Sequence, residues 1–264
     1  MSLRLRQVSA AALPPVVFGL LFFGAWEWAV RAFEVEEYFL VPPSKILSTF
    51  ADNWSLIWES VQVTGANALV GLLLGTALGV AVAFLLMSFR SLDQVITPLS
   101  TAVNALPIFV VVSVFSNMYP ATSEMPRRLM VAIVIYFVVL VNVARGLRNV
   151  QPTHLELMQS YAAGRWAMLR HVRIPNAIPF LFTALKIAAP MAVITAFVSE
   201  YFGGAQNGLG SRITASLGGS RKADGWAYVL AACLLGIVFY LISITMEAVA
   251  TPGGTEHQHR GRSH

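Results

Sequence analysis

The sequence predicts an all-α protein that crosses a membrane about six times. Three observations carry the prediction. Charged residues make up 12% of the 264 residues, about half of the roughly 25% usual in a soluble domain. Mean hydropathy is +0.67. Several apolar runs reach the ~20 helical residues needed to cross about 30 Å of hydrocarbon, and the alternation a barrel requires is absent.

The first expected span is Pro14–Phe33, preceded by Arg4 and Arg6. It carries Trp26, Glu27 and Trp28 and no small-residue cleavage site follows, so it reads as a retained anchor rather than a signal peptide. An acidic, proline-bearing stretch leads to SKILSTFADNWSLIWESV. There Ile46, Leu47, Phe50, Trp54, Ile57, Trp58 and Val61 recur at helical spacing. Ser44 is the expected cap of this amphipathic helix, which is too polar to span and should lie along the outer interface.

The second span, Thr64–Phe89, sets Gly71, Gly75 and Gly79 at steps of four, a stripe that lets a neighbouring helix approach closely. The third, Val95–Phe115, is interrupted by Pro98 and Pro107. Leu129–Val143 is the fourth, closed by Arg145 and Arg148; the fifth is Ala177–Val198 and the sixth Trp226–Val249. Between the last two lies YFGGAQNGLGSR, whose glycines should permit unusual backbone angles in a tight outer re-entrant turn. The chain reads as one membrane domain, 1–264, with a polar tail over 252–264.

Charge assigns the sides. With the N-terminus inside, inner loops hold ten arginines, from Arg4 and Arg6 through Arg145, Arg148, Arg165, Arg170 and Arg173 to Arg260 and Arg262. Outer segments hold most acids, although Arg127, Arg128, Arg212 and Arg221 dilute the bias. The positive-inside rule therefore favours both termini in the cytoplasm. The net charge of +5 reads as this topology and not as nucleic-acid binding.

Chemistry-bearing patterns are few. No Gly-Lys pair occurs, so no P-loop can cradle nucleotide phosphates. No Ser–His–Asp grouping or metal-ligand spacing is legible, and His257 and His259 read as a solvated tail. The single cysteine, Cys233, reads as a small packing residue. An intramembrane enzyme is thereby disfavoured. Candidate pathway or gate residues are Asn104, Pro107, Lys186, Thr195 and Glu200, because polar groups in spans are costly and mark function or pairing. Lys186 equally suits snorkelling or an ion pair.

The informative segment is 152–175. Pro152 suits a first helical turn, and Thr153–Val172 can form one or two short amphipathic helices ended at Pro175. Such a helix fits a groove on a partner protein; an inner loop binding anionic lipid is the other reading. Here the sequence resembles the signature of permease subunits of bacterial ATP-binding-cassette importers. Glu156 holds the acidic position and Ile174-Pro175 the terminal pair. Leu157, Met158 and Ala162 depart from the usual two alanines and glycine, and Gly164 falls two residues late. RWAMLRHVRIPNAIPFLFTALKIA, VPPSKIL, the ALP at Ala105–Pro107 and EYFGGAQNGLG resemble the branch that imports nitrate, sulfonates and taurine. The likeness runs from about Pro42 to Val249.

The resemblance implies a type I importer permease fold in the bacterial inner membrane. Residues 152–175 would hold the coupling helix, with Glu156, Ser160, Ala162, Gly164 and Arg165 at the interface and Tyr161, Trp166 and Leu169 as apolar anchors. Implied partners are ABC ATPase subunits, a second permease copy or paralogue, an extracytoplasmic substrate-binding protein and the lipid bilayer. The chain would bind no cofactor itself, ATP and Mg residing on the ATPase. An ion-coupled secondary transporter or channel is the alternative; it calls for inverted repeats and buried acids, and no internal repeat or intramembrane carboxylate pair is legible. An exporter fits the layout less well than an importer.

Overall fold

The computed structural model describes residues 2–203, 205, 207–219 and 221–250, with side chains from residue 13 onward except 90–93, 97, 103 and 104. The tail 252–264, with His257 and His259, lies outside the described residues. All regular structure among the described residues is helical: α1 (Ser2–Ala32), α2 (Pro43–Asp52), α3 (Trp54–Ser88), α4 (Arg90–Asn104), α5 (Ile108–Met118) and α6 (Met125–Arg148). Then follow α7 (Pro152–Ser160), α8 (Arg165–Met168), a π-helical turn Leu169–Arg173, α9 (Ile174–Phe202), α10 (Leu209–Gly218) and α11 (Lys222–Ala250).

Three helices, α3, α6 and α9, form the core because small residues line their contacts. A Cβ built on Gly75 would stand 2.6 Å from the Ala132 carbonyl oxygen, and one on Gly79 2.8 Å from that of Tyr136. The stripe expected from the sequence therefore seats α3 backbone to backbone on α6, against Val131, Ile135 and Val139. On α9 a second stripe, Ala184, Ala188, Ala192 and Ala196, is completely buried in the same core. A smaller apolar cluster joins Ile57 of α3, Leu209 and Ile213 of α10, and Ala227, Tyr228 and Ala231 of α11.

Five helical segments are long and apolar enough to cross a membrane: Leu13–Ala32, Trp54–Ser88, Met125–Arg148, Arg165–Phe202 and Lys222–Ala250. The expected third span is instead two shorter helices, α4 and α5, parted at Ala105–Pro107. Pro107 lacks an N–H and disfavours helical geometry in the residue before it, so it starts α5 as N-cap. Pro98 stays inside α4.

Two other expectations change. The outer amphipathic helix ends at Asn53, and Trp54 to Val61 form the first turns of α3. Ser44 does not cap α2, whose N-cap is Pro42. Instead, the backbone N–H and Oγ of Ser44 donate to Glu27 of α1 at 3.0 and 2.8 Å. A carboxylate at a helix N-terminus is favoured by the helix dipole, so Glu27 pins α1 to α2. Nor does Pro175 break its helix. The chain runs on from the π turn into α9, and Pro175 sits in the first turn of α9.

Candidate functional site

The two ends of the bundle carry different polar chemistry. At one end the α6–α9 connection projects as α7, a turn and α8. Tyr161 and Trp166 are 75% and 71% exposed, and Leu157 stands out beside them. Glu156, Ser160, Ala162, Gly164 and Arg165 are exposed on the same stretch, while Leu169 is half-buried. The Ser160 hydroxyl donates to the Leu157 carbonyl at 2.7 Å. The turn is a Schellman motif. Ala163 N–H donates to Met158 O at 3.0 Å and Ala162 N–H to Gln159 O at 2.9 Å. Ala162 stands at φ 47°, the left-handed position that favours glycine. Gly164 has no such need, with φ −68° as the N-cap of α8.

This projection is tied to the bundle at its base. The Asn176 side-chain amide donates to the carbonyls of Gly146 and Asn149, at 2.7 and 3.1 Å, and so closes the end of α6 against α9. From α8 through the π turn to the end of α9 the helix is continuous, 38 residues over Arg165–Phe202.

At the other end the polar groups are consumed within the chain. Arg127, 1% exposed, donates to Glu124 at 2.7 Å, to Asn207 at 3.0 Å and to the Ala205 carbonyl. Glu124 also accepts from Asn67 at 2.7 Å and from Asn207 at 2.8 Å. Burial pushes the Glu124 carboxyl up. The donors Asn207 and Asn67 and the Arg127 guanidinium outweigh that and hold it below the usual carboxylate range. Arg128 Nε completes the set, donating to Asn67 Oδ1 at 3.1 Å.

Beside this network, Glu200 at the end of α9 grips the start of α10. Its carboxylate accepts from Thr64 Oγ1 at 2.8 Å and from Gly210 N–H at 3.1 Å, and Leu209 N–H donates to Thr64 Oγ1 at 3.0 Å. A Cβ at Gly208 would collide with the Glu200 carboxylate, and one at Gly210 would lie 2.9 Å from Glu200 Cβ. These glycines serve close approach, not unusual angles: Gly203 and Gly208 both have extended backbones.

The pathway candidates do not converge. Thr195 is buried in α9, five positions before Glu200, and Pro107 sits at the α4–α5 corner. Lys186 of α9 pairs with Glu247 of α11 at 2.8 Å. The side chain of Asn104 lies outside the described residues. Sequence reading missed Glu124, Arg127, Asn67, Thr64 and Asn207. Asn67, a carboxamide inside an apolar helix, was the available signal.

Comparison with known proteins decides the family. Residues 75–253 match the family described as the binding-protein-dependent transport system inner membrane component. The chain belongs to that family. It is thus a non-catalytic permease subunit of an ABC importer, and ATP is hydrolysed by a partner ATPase. Relatives include the formylaminopyrimidine transport permease protein ThiX of Halalkalibacterium halodurans, 26% identical over 92% of this chain and 97% of that one. The nitrate import permease protein NrtB of Leptolyngbya laminosa is 22% identical over 74% of this chain and 68% of its own. Among solved structures, a bacterial ABC transporter involved in the import of the acidic polysaccharide alginate superposes with a TM-score of 0.65. It is 13% identical over 95% of this chain and 98% of that one, which shows a shared fold. An ion-coupled transporter is not favoured beside these matches.

Proposed function

We propose that this permease forms its pore with a second copy or a paralogue and couples to the ATPase through Glu156–Leu169. The observation that carries the reading is the exposure of Tyr161, in the turn after α7, and of Trp166, on a helix that runs unbroken from Arg165 through α9. At 1.5 Å per residue such a helix is a lever of roughly 55 Å. Tyr161, Trp166 and Leu169 anchor the arm in a groove of the ATPase, and Glu156 and Arg165 make polar contacts at its rim. ATP and Mg stay on the partner. Closure of the ATPases draws the two arms together, and α9 carries the displacement to Glu200 and α10 at the far end. That is a nucleotide-biased two-state element.

Both termini face the cytoplasm of the bacterial inner membrane. The chain's arginine distribution supports this orientation more strongly than a simple count, because Arg127 is neutralised by Glu124 and casts no vote. The cargo is a small organic or oxyanion nutrient delivered by an extracytoplasmic binding protein, in line with the names of the relatives.

The test is copurification of the tagged chain from membranes in mild detergent, beside a Glu156→Lys/Trp166→Ala variant. An ABC ATPase accompanies the native chain and is lost from the variant, which keeps its size-exclusion profile. Absence of any ATPase under every nucleotide condition overturns the coupling role.

A further inference from the structure

Between the first turns of α3, the start of α6 and the start of α10 lies a recess of about 530 Å³, a volume within the range of small-molecule sites. Its lining mixes both signs, so what matters is which groups still have bonding capacity. Glu124 is spent: it already accepts from Arg127, Asn67 and Asn207. Arg128 uses only Nε, on the neutral Asn67, and neither of its terminal nitrogens has a partner among the described residues. The Arg212 side chain has no hydrogen-bond or ion-pair partner among the described residues, and its Nε is buried and unsatisfied. Against these two guanidiniums stands one unpaired carboxylate, Glu59, exposed at the rim beside Gln62.

We infer that this recess binds a small soluble oxyanion, held by the free forks of Arg128 and Arg212. A guanidinium presents its donors as a planar fork that matches two oxygens of a carboxylate, sulfonate, nitrate or phosphate. Glu124 on the lining is balanced by Arg127 behind it, which leaves the guanidiniums of Arg128 and Arg212 in excess over Glu59. A buried donor without a partner, as at Arg212 Nε, is costly, and an anion against the same guanidinium offsets that cost. The importer reading gives the site its purpose, as a station for cargo at the end of the bundle that holds α10; the binding itself is measured without ATPase or binding protein.

The experiment exploits the single cysteine. In the full chain carrying Cys233→Ser, Ala66→Cys places a thiol on the recess lining. The protein is set in nanodiscs of zwitterionic lipid. Its labelling rates with a sulfonate-bearing and a trimethylammonium-bearing methanethiosulfonate are compared with those of a free small thiol.

The expected result is a preference for the anionic reagent of roughly tenfold, the scale of field focusing in a charged cleft. Arg212→Gln and Arg128→Gln each lower it, Arg212→Lys keeps it, and Glu59→Gln raises it. Sodium sulfate slows labelling more than sodium chloride at equal ionic strength. The proposal falls if neither reagent reaches the thiol, if the preference is absent or unmoved in Arg212→Gln protein of native size-exclusion profile, or if sulfate acts no better than chloride. It also falls if slowing occurs only in discs of anionic lipid, since the anion would then be a headgroup. None of these outcomes bears on whether an ATPase copurifies.

Discussion

The end of the bundle built on Glu124, Arg127 and Glu200 is finished within the chain; the end built on α7 and α8 is not. At the first, a guanidinium with 2% of its side chain exposed meets a carboxylate, a carboxamide and a backbone carbonyl, and a second carboxamide, Asn67, donates to the same carboxylate. At the second, two aromatic rings and several arginines face outward with little of the chain against them. Polar groups of the first kind cost stability when broken, while exposed groups of the second kind cost function when removed. The molecule thus separates a rigid polar plug from an arm that waits for a partner.

The largest effect comes from breaking the plug. Arg127→Ala removes a buried cation from the half-buried Glu124 and from Asn207, and should destabilise the chain by about 3 kcal/mol, read as a lowered melting temperature in detergent. Adding Glu124→Ala should restore part of that loss. Next, Trp166→Ala should weaken ATPase binding by about 2 kcal/mol, roughly thirtyfold, in a titration with the purified ATPase. The melting temperature should not move. If Trp166→Ala melts the chain instead, the ring packs internally and the contrast between the ends fails.

Acid should weaken the plug. The Glu124 carboxyl is held below its ordinary value in the folded chain. Its contribution is therefore complete above the unfolded value of about 4.3 and disappears as pH falls through the folded value. The acid-side drop in melting temperature below about pH 5 should be reduced in Glu124→Gln. The smallest effect sits in the arm's turn. Ala162→Gly should relieve the left-handed position by up to about 1 kcal/mol, visible as slower exchange of the Ala163 amide.

What could be read from the sequence follows from where the information lies. The Gly71–Gly75–Gly79 stripe and the apolar runs are local patterns, and the structure uses them as expected. Pro175 was misread because a proline rule applied to one residue cannot see the π turn before it, which makes Pro175 a first-turn residue. The amphipathic pattern over Ile46–Val61 was real, but periodicity does not show the interruption at Asn53. The arm was legible as an exposed amphipathic segment. The plug was not, because Arg127 meets Asn207 and Thr64 meets Glu200 across the fold. Counted in sequence, Arg127 was only a stray positive charge.

The measurement that tests the account most directly is hydrogen–deuterium exchange of the full chain in nanodiscs, alone and with its ATPase. The account predicts fast exchange over 152–169 in the isolated chain, slowed on addition of the ATPase, and slow exchange at the amides of Leu209 and Gly210 in both states. Protection of 152–169 in the isolated chain, or no change there when the ATPase binds, would contradict it.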